Sequence, residues 1–430
     1  MDVKRIQNII TTLFLLLGAA IGGYYFGSKG YDVNIKKEVI PIEIKNKEAE
    51  IPKDVDFARF WEVWDMLNQK HVRKPLNPSD LLDGAIHGMV DAIGDPYTTY
   101  LNTEENKESL DSLNGLYEGI GAQLGYDEDK RLIIQSPLAN SPAIEAGLMA
   151  GDNILAINGE DTTGYTINTA VSKIRGQAGT SVTLNIYRDS FDLPKDVVVT
   201  RQTIKVDSVT WEDKGEGVAL IKLTRFGETT NKEWDKAISE IIDQMPNLKG
   251  IVLDVRNNPG GYLQSSVHIS SEFIDTGVTV VKEESSDGTS KDYKVERKGK
   301  FVAKPVPLVV IINEGSASAA EIVTAALKEE ANAQVVGMRS YGKGSVQKAE
   351  EFNDGASLHV TIAKWLTPDG NWIDKYNSDF EDSKYNEKDN EGKEIKGGIK
   401  PDLIVDFTDE DIKNLKDVQL DKAVEIVKSL

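Results

Sequence analysis

Three short apolar runs punctuate the C-terminal half of the chain: "GVALIKL" (217–223), "GIVLDV" (250–255) and "PLVVIIN" (307–313). Each reads as a strand. Between and after them stand "TNKEWDKAISEIIDQM" (230–245), "LQSSVHISSEFI" (263–274) and "ASAAEIVTAALKEE" (317–330), which read as helices. Strands and helices in alternation predict an α/β core with a largely parallel sheet.

Upstream, residues 113–203 read as a compact β-rich module. "GIGAQLGY", "RLIIQS", "NILAING" and "VTLNIYR" are strand-like runs separated by turns, with short helices over "SPAIEAGLMAGD" and "TINTAVSKIRG". Before it, Phe57, Phe60, Trp61, Trp64 and Leu67 recur at helical spacing and read as a packing face. A second helix runs from about Ser79 to Gly94. A last amphipathic helix is expected from about Glu410 to Leu430, carrying Ile412, Leu415, Val418, Leu420, Ala423 and Ile426, packed on the core or on a second subunit. Residues 374–397 are charged and poor in apolar side chains, and read as an exposed loop.

The N-terminus speaks to compartment. Lys4 and Arg5 precede an apolar stretch from Ile9 to Phe26, at the lower edge of what spans a bilayer. Residues 1–27 therefore read as a single-pass anchor with a cytoplasmic N-terminus, and a cleaved signal peptide is the alternative. Residues 28–55 read as a tether, and the body is expected outside the cytoplasmic membrane.

Composition narrows the chemistry. The 430 residues carry a net charge of −20, which argues against a general nucleic-acid binder. No cysteine is present, so thiol nucleophiles, zinc–thiolate sites and disulfides are excluded. The histidines are His71, His87, His268 and His359. His268 lies on a helical run and His359 in a strand-like run, and neither is convincingly placed as a catalytic base.

"GMRSYGKGSVQ" (337–347) nearly matches a phosphate-binding loop: Gly337, Gly342 and Lys343 fit, but Gly344 stands where Ser or Thr is required. Little nucleotide is available outside the membrane, so Lys343 is free for other work. In "VVIINEGSASAAEIVTAALKEE" a buried strand passes through small residues into a helix. A serine at such a turn presents an exposed hydroxyl beside outward-facing N–H groups, as an acyl-transfer nucleophile requires. Ser316 and Ser318 both qualify, and helix capping is the plainer role for either. A lysine serves as base for such a serine if burial keeps its amine neutral. Lys343 is the candidate, with the Gln347 amide four residues on to hold it.

Both stretches, in this order, closely resemble the carboxyl-terminal processing proteases, the tail-specific serine peptidases. "LDVRNNPGGYL", "IAKWLTPDG" and "GGIKPDLIV" match the family as well, and "SPAIEAGLMAGDNILAINGED" resembles its PDZ domain. The resemblance implies Ser318 as nucleophile, Lys343 as general base and Gln347 as its orienting partner. It implies an oxyanion hole from the N–H groups of Ala319 and of Gly260 or Gly261. Glu321, one turn beyond Ser318, either faces the site or is an exposed helix charge. No cofactor or metal is implied. The domains follow as anchor 1–27, tether 28–55, helical segment 56–112, PDZ domain 113–203, protease core 204–407 and C-terminal helix 408–430. The charged segment 374–397 is longer than the family pattern.

PDZ domains take up an extended C-terminus as an added strand, its carboxylate on backbone N–H groups of a glycine-containing loop. Gly119, Ile120 and Gly121 fit that loop; a dinucleotide fingerprint there fails, because Leu124 replaces the third glycine. Arg175 is similar to an arginine that links peptide binding to the active site in some members, or else satisfies a helix terminus. Protein tails are thus the expected substrates, with a homodimer through the terminal helices bearing Trp61 and Trp64 and a regulatory protein as further partners. The competing reading is a non-catalytic PDZ scaffold.

Overall fold

The computed structural model describes residues 56–430 except 128, 139, 189, 377–386, 389–393, 409, 412, 413 and 415. The expected anchor and tether lie outside the described residues, as does much of the charged segment. Among the described residues no helix is long and apolar enough to cross a membrane. The chain divides into a unit Met1–Leu82 and a unit Asp83–Leu430.

In the first unit, α1 (Ala58–Lys70) carries the aromatic stripe. Its rings meet one another, Phe60 and Trp61 edge to face at 5.1 Å, but the helix buries none of its residues, contrary to the expected packing face. The helix α2 (Pro78–Asp91) runs on into the second unit. There β1 (Thr99–Leu101) and α3 (Thr103–Leu113) follow, the helix started by a capping box between Asn102 and Glu105.

The β-rich module is entered through β2 (Leu116–Gly119). It comprises β3 (Ala122–Tyr126), β4 (Leu132–Pro137), α4 (Pro142–Glu145), β5 (Asn153–Ile157), β6 (Glu160–Asp161), α5 (Ile167–Ile174), β7 (Ser181–Tyr187) and β8 (Lys195–Thr200), and leaves through β9 (Gln202–Lys205). Ser141 and Thr166 cap the two short helices, as Ser and Thr commonly do. The sheet runs β3-β4-β5-β7-β8, and entry and exit strands β2 and β9 pair antiparallel as a separate ribbon. Alternate residues Val182, Leu184 and Ile186 of β7 point into its core.

The second sheet is the expected parallel one. It consists of β10 (Val209–Asp213), β11 (Val218–Leu223), β12 (Gly250–Asp254), β15 (Leu308–Ile312), β16 (Gln334–Gly337) and β19 (Leu403–Ile404). All neighbours are parallel except β10, which pairs antiparallel with β11. Alternation decides what covers each face. Ala219, Ile221, Leu253, Val310 and Ile312 pack with α6 (Thr230–Gln244), α7 (Leu263–Ser270), Phe301 of α8 (Lys300–Ala303) and α9 (Ala319–Glu330). Val218, Leu220, Val252, Val309 and Ile311 face α10 (Val418–Ser429) through Ala423 and Val427. Burial on both faces accounts for the unbroken apolar runs. The C-terminal helix thus packs on its own core. It begins at Val418 behind the cap Asp417, later than Glu410, and Ile412 and Leu415 lie outside the described residues.

A third, antiparallel sheet has no counterpart among the expected elements. It joins β1, β13 (Thr279–Ser285), β14 (Ser290–Lys294), β17 (Ser345–Glu351) and β18 (Ser357–Leu366). Its β1 arrives from before the β-rich module, so the N-terminal segment is sewn onto the core at Thr99–Leu101 opposite His359–Ser357.

Candidate active site

The loops leaving β12, β15 and β16 meet at the carboxyl edge of the parallel sheet, where α/β folds place their sites. The first two are tied together by side chains. Asn257 and Asn313 exchange hydrogen bonds at 2.8 and 2.9 Å. Buried Asn258 donates to Leu223 O, and its own carbonyl accepts from Ala317 N–H.

These ties separate the two serines. Ser316 is fully buried; its hydroxyl donates to Val255 O at 2.8 Å and accepts from Asn313 N–H at 3.0 Å. It is a structural link. Ser318 is only partly buried and sits immediately before α9. Its φ of 54° and ψ of −117° are strained for a non-glycine residue, and such strain gathers at functional turns. The Gly260 backbone presses against it: a Cβ there would lie 2.7 Å from Ser318 Cβ and 3.0 Å from Ala319 N. The Gly260 N–H itself donates to Asn258 Oδ1, so this N–H is already engaged, and Gly261 is left as the oxyanion candidate beside Ala319.

Lys343 lies in the loop between β16 and β17, with its side chain partly buried. Desolvation pushes its amine below the ordinary lysine value, against the charges of Glu321, Asp95 and Asp374, which pull it up. Tyr97 places its ring 5.4 Å from Nζ. His359 also faces this lysine from β18, and burial together with the lysine charge keeps its imidazole below the usual range. The Gln347 amide nitrogen donates to Ser345 Oγ at 2.8 Å and Thr361 Oγ1 at 3.2 Å, which fixes the amide and leaves its carbonyl oxygen as the acceptor for an amine.

Glu321 is the residue whose role the sequence left open. It is fully buried, not an exposed helix charge. Its Oε2 accepts from Ser318 N–H at 2.8 Å and Lys343 N–H at 2.9 Å, and its Oε1 from Gly342 N–H and the Ser340 hydroxyl, each at 2.6 Å. Gly344 N–H goes to Asp374 Oδ2 at 3.1 Å. The N–H groups that a phosphate loop would aim at its ligand are therefore filled by the protein's own carboxylates. Gly344 has a packing reason as well, since a Cβ would lie 2.5 Å from the Trp372 indole nitrogen. The Asp95–Tyr97 stretch and Asp374 were missed in the sequence, being remote in the chain from Lys343.

In the β-rich module, β3 is an edge strand, and a groove of about 210 Å³ runs beside it. Gly119, Ile120, Gly121, Leu124, Ile174 and Arg175 are among its lining residues. The Arg175 guanidinium lies over the Tyr117 ring at 4.6 Å. His268 is structural, its Nε2 held 2.8 Å from Asp235.

A strained serine at a helix start, a desolvated lysine and a peptide-sized edge groove define a serine hydrolase with an attached peptide-binding module. The comparisons with known proteins agree with that class. The family model "Peptidase family S41" matches residues 217–405, the PDZ domain model residues 112–187, and the model of the activating protease CtpB N-terminal domain residues 15–105. Carboxy-terminal processing protease CtpA of Bacillus subtilis is 38% identical over 322 residues, covering 75% of this chain and 67% of its own length. CtpB of the same organism is 36% identical over 375 residues, covering 86% and 76%. A crystal structure from Bacteroides fragilis, described as an S41 protease, shares the fold with a TM-score of 0.53 at 16% identity, covering 89% of this chain and 99% of that one. The chain belongs to the carboxy-terminal processing proteases of peptidase family S41, and is a serine peptidase with a PDZ domain.

Proposed function

We propose that the chain is a membrane-anchored endopeptidase working through a Ser318–Lys343 dyad outside the cytoplasmic membrane, on proteins whose C-terminal tails its PDZ domain recognises. One observation carries the catalytic part: the Ser318 turn and the Lys343 loop hang on the same carboxylate, with the serine strained and the lysine desolvated. Neutral Lys343 takes the Ser318 proton as Oγ attacks the scissile carbonyl. Ala319 N–H, at the positive end of α9, and Gly261 N–H receive the developing oxyanion. Lys343, steadied by the Gln347 carbonyl, passes the proton to the leaving amine and then activates the water that releases the acyl-enzyme.

Tail recognition is supported by the open edge of β3. A substrate terminus adds there as a strand, its carboxylate on the N–H groups of Gly119–Gly121 and its last side chain in the groove. The rest of Arg175 on Tyr117 in that groove supports a role for this side chain in sensing the occupant. The apolar stretch 9–26 and its preceding Lys4 and Arg5 support the anchor and its orientation. The exposed rings of α1, with Trp61 57% accessible, suit a second copy of the chain.

The test is cleavage of a protein with an apolar C-terminal tail, compared with the same protein amidated at its terminus. Tail-dependent cutting that disappears in Ser318→Ala supports the reading. Tail binding by a chain that no serine-directed acylating probe labels would make it a scaffold instead.

A further inference from the structure

The Glu321 carboxylate has every partner on the donor side. Ser340 Oγ accepts from Ile399 N–H at 2.6 Å, so its own hydrogen is turned toward Glu321. The remaining three partners are backbone N–H groups. A proton on this carboxyl would face three backbone N–H donors, and Ser340 Oγ could accept it only by turning its own hydrogen away from Glu321. Burial pushes the Glu321 carboxyl above the ordinary carboxylate range, against the four donors that favour the anion; the hydrogen bonds as they stand, all donated to the carboxylate, fit the anion.

A glutamate on one helix thereby holds two separate loops. Losing its grip would free the strained Ser318 backbone on one side and the Gly342–Lys343 backbone on the other. We propose that Glu321 is a positioning residue of the peptidase: its ionised carboxylate keeps the Ser318 turn and the Lys343 loop in register. The same charge holds the Lys343 amine up against the desolvation that lowers it. The inference rests on the reading of Ser318 and Lys343 as the catalytic pair. The other titratable groups around that amine are Asp95 and Tyr97 before β1, Tyr341 two residues earlier in the same loop, His359 on β18, and Asp374 and Lys375 beyond β18. Glu321 differs from them in that it also bonds both loops.

The experiment measures kcat and KM across the neutral and alkaline range for the full chain, wild type and variants. Glu321→Gln removes the charge and replaces one acceptor oxygen with a donor. It should lower kcat about 100-fold with KM held, and move the rising limb of kcat/KM to lower pH by about one unit. Glu321→Asp keeps the charge but shortens the reach; kcat should fall while the limb stays in place. A merely structural glutamate would lower stability and leave the limb where it was, and a folded Glu321→Gln enzyme with an unmoved limb overturns the proposal. Where Glu321→Gln does not fold, Ser340→Ala decides. It removes one tie without touching charge and should lower kcat about tenfold; wild-type kcat there overturns the proposal. Ser318→Ala and Lys343→Ala are run alongside. If those remain active the dyad itself fails, whereas if they are dead and the limb is unmoved only the role of Glu321 fails.

Discussion

At the residue scale, the site sets two serines two positions apart to different tasks. Ser316→Ala would strip the Asn313 N–H of its partner and leave the Val255 C=O with only the longer bond from Asn258 N–H, costing about 1–3 kcal/mol, while the chain should still cut. Ser318→Ala should lose peptidase activity by about 10⁴-fold or more with little change in stability. Lys343 carries a pH signature. In the unfolded chain its amine titrates near the ordinary 10.5, and in the folded chain below it. Between the two values the unfolded chain binds more protons, so this residue makes stability rise with pH up to about the unfolded value, and it opposes folding at neutral pH. Lys343→Met should therefore raise the melting temperature at neutral pH while cutting activity by about 10²–10⁴-fold. Calorimetry and a peptide assay on the same preparation check both signs.

The motifs around Ser318 and Lys343 were legible because small residues at a strand-to-helix turn and glycines flanking a lysine each have a local cause. Glu321 was not. Its helix turn is Ala319, Ala320, Glu321 and Ile322, and all four are buried, so no polar face marks which way the carboxylate looks. Its partners Ser340, Gly342 and Lys343 lie 19 to 22 residues on, a separation that helical spacing cannot reveal.

At the scale of elements, the strands of the parallel sheet were legible because burial on both faces leaves an uninterrupted apolar run. The antiparallel sheet of β13, β14, β17 and β18 was not, since "TVVKEES" and "SVQKAEE" mix charge with apolar residues and only tertiary pairing decides them. The late start of α10 has a similar origin. Asp417 caps it by accepting from Leu420 N–H, and the same carboxylate receives Arg256, which also grips Asp254 at the end of β12. This bridge fixes the helix to the sheet. Arg256 is 13% exposed and Asp254 10%, so Arg256→Ala, which leaves carboxylates without their cation, should cost about 3–5 kcal/mol. A denaturant midpoint that does not move would show the bridge to be idle. Gly344→Ala tests the lysine loop. The added Cβ would collide with Trp372, so the loop must shift, and activity should drop by about 100-fold in a protein that still unfolds cooperatively.

At the scale of the whole molecule, the PDZ domain and the protease core share a joint close to the chemistry. Arg225 of the core donates to Val206 O just past the strand leaving the PDZ domain, and Gly115 at the entrance packs against the same side chain. The next residue, Phe226, pairs with Gly260 and Tyr262 across the loop that presses on Ser318. A tail bound at β3 therefore lies on a connected element that ends beside Ser318. Arg175→Ala should reduce tail-dependent cleavage while an acylating probe still labels Ser318. Loss of labelling would mean that Arg175 supports the fold rather than the signal. The order of the modules was legible from separated motifs, but this joint was not, because its members come from residues 115, 206 and 225 and carry no shared pattern.

The most direct measurement compares cleavage of a tail-exposed protein by the full chain as wild type, Ser316→Ala, Ser318→Ala and Lys343→Ala. Cutting by wild type and Ser316→Ala, with Ser318→Ala and Lys343→Ala both inactive though folded, is the expected result. Activity surviving in folded Ser318→Ala or Lys343→Ala would contradict the dyad.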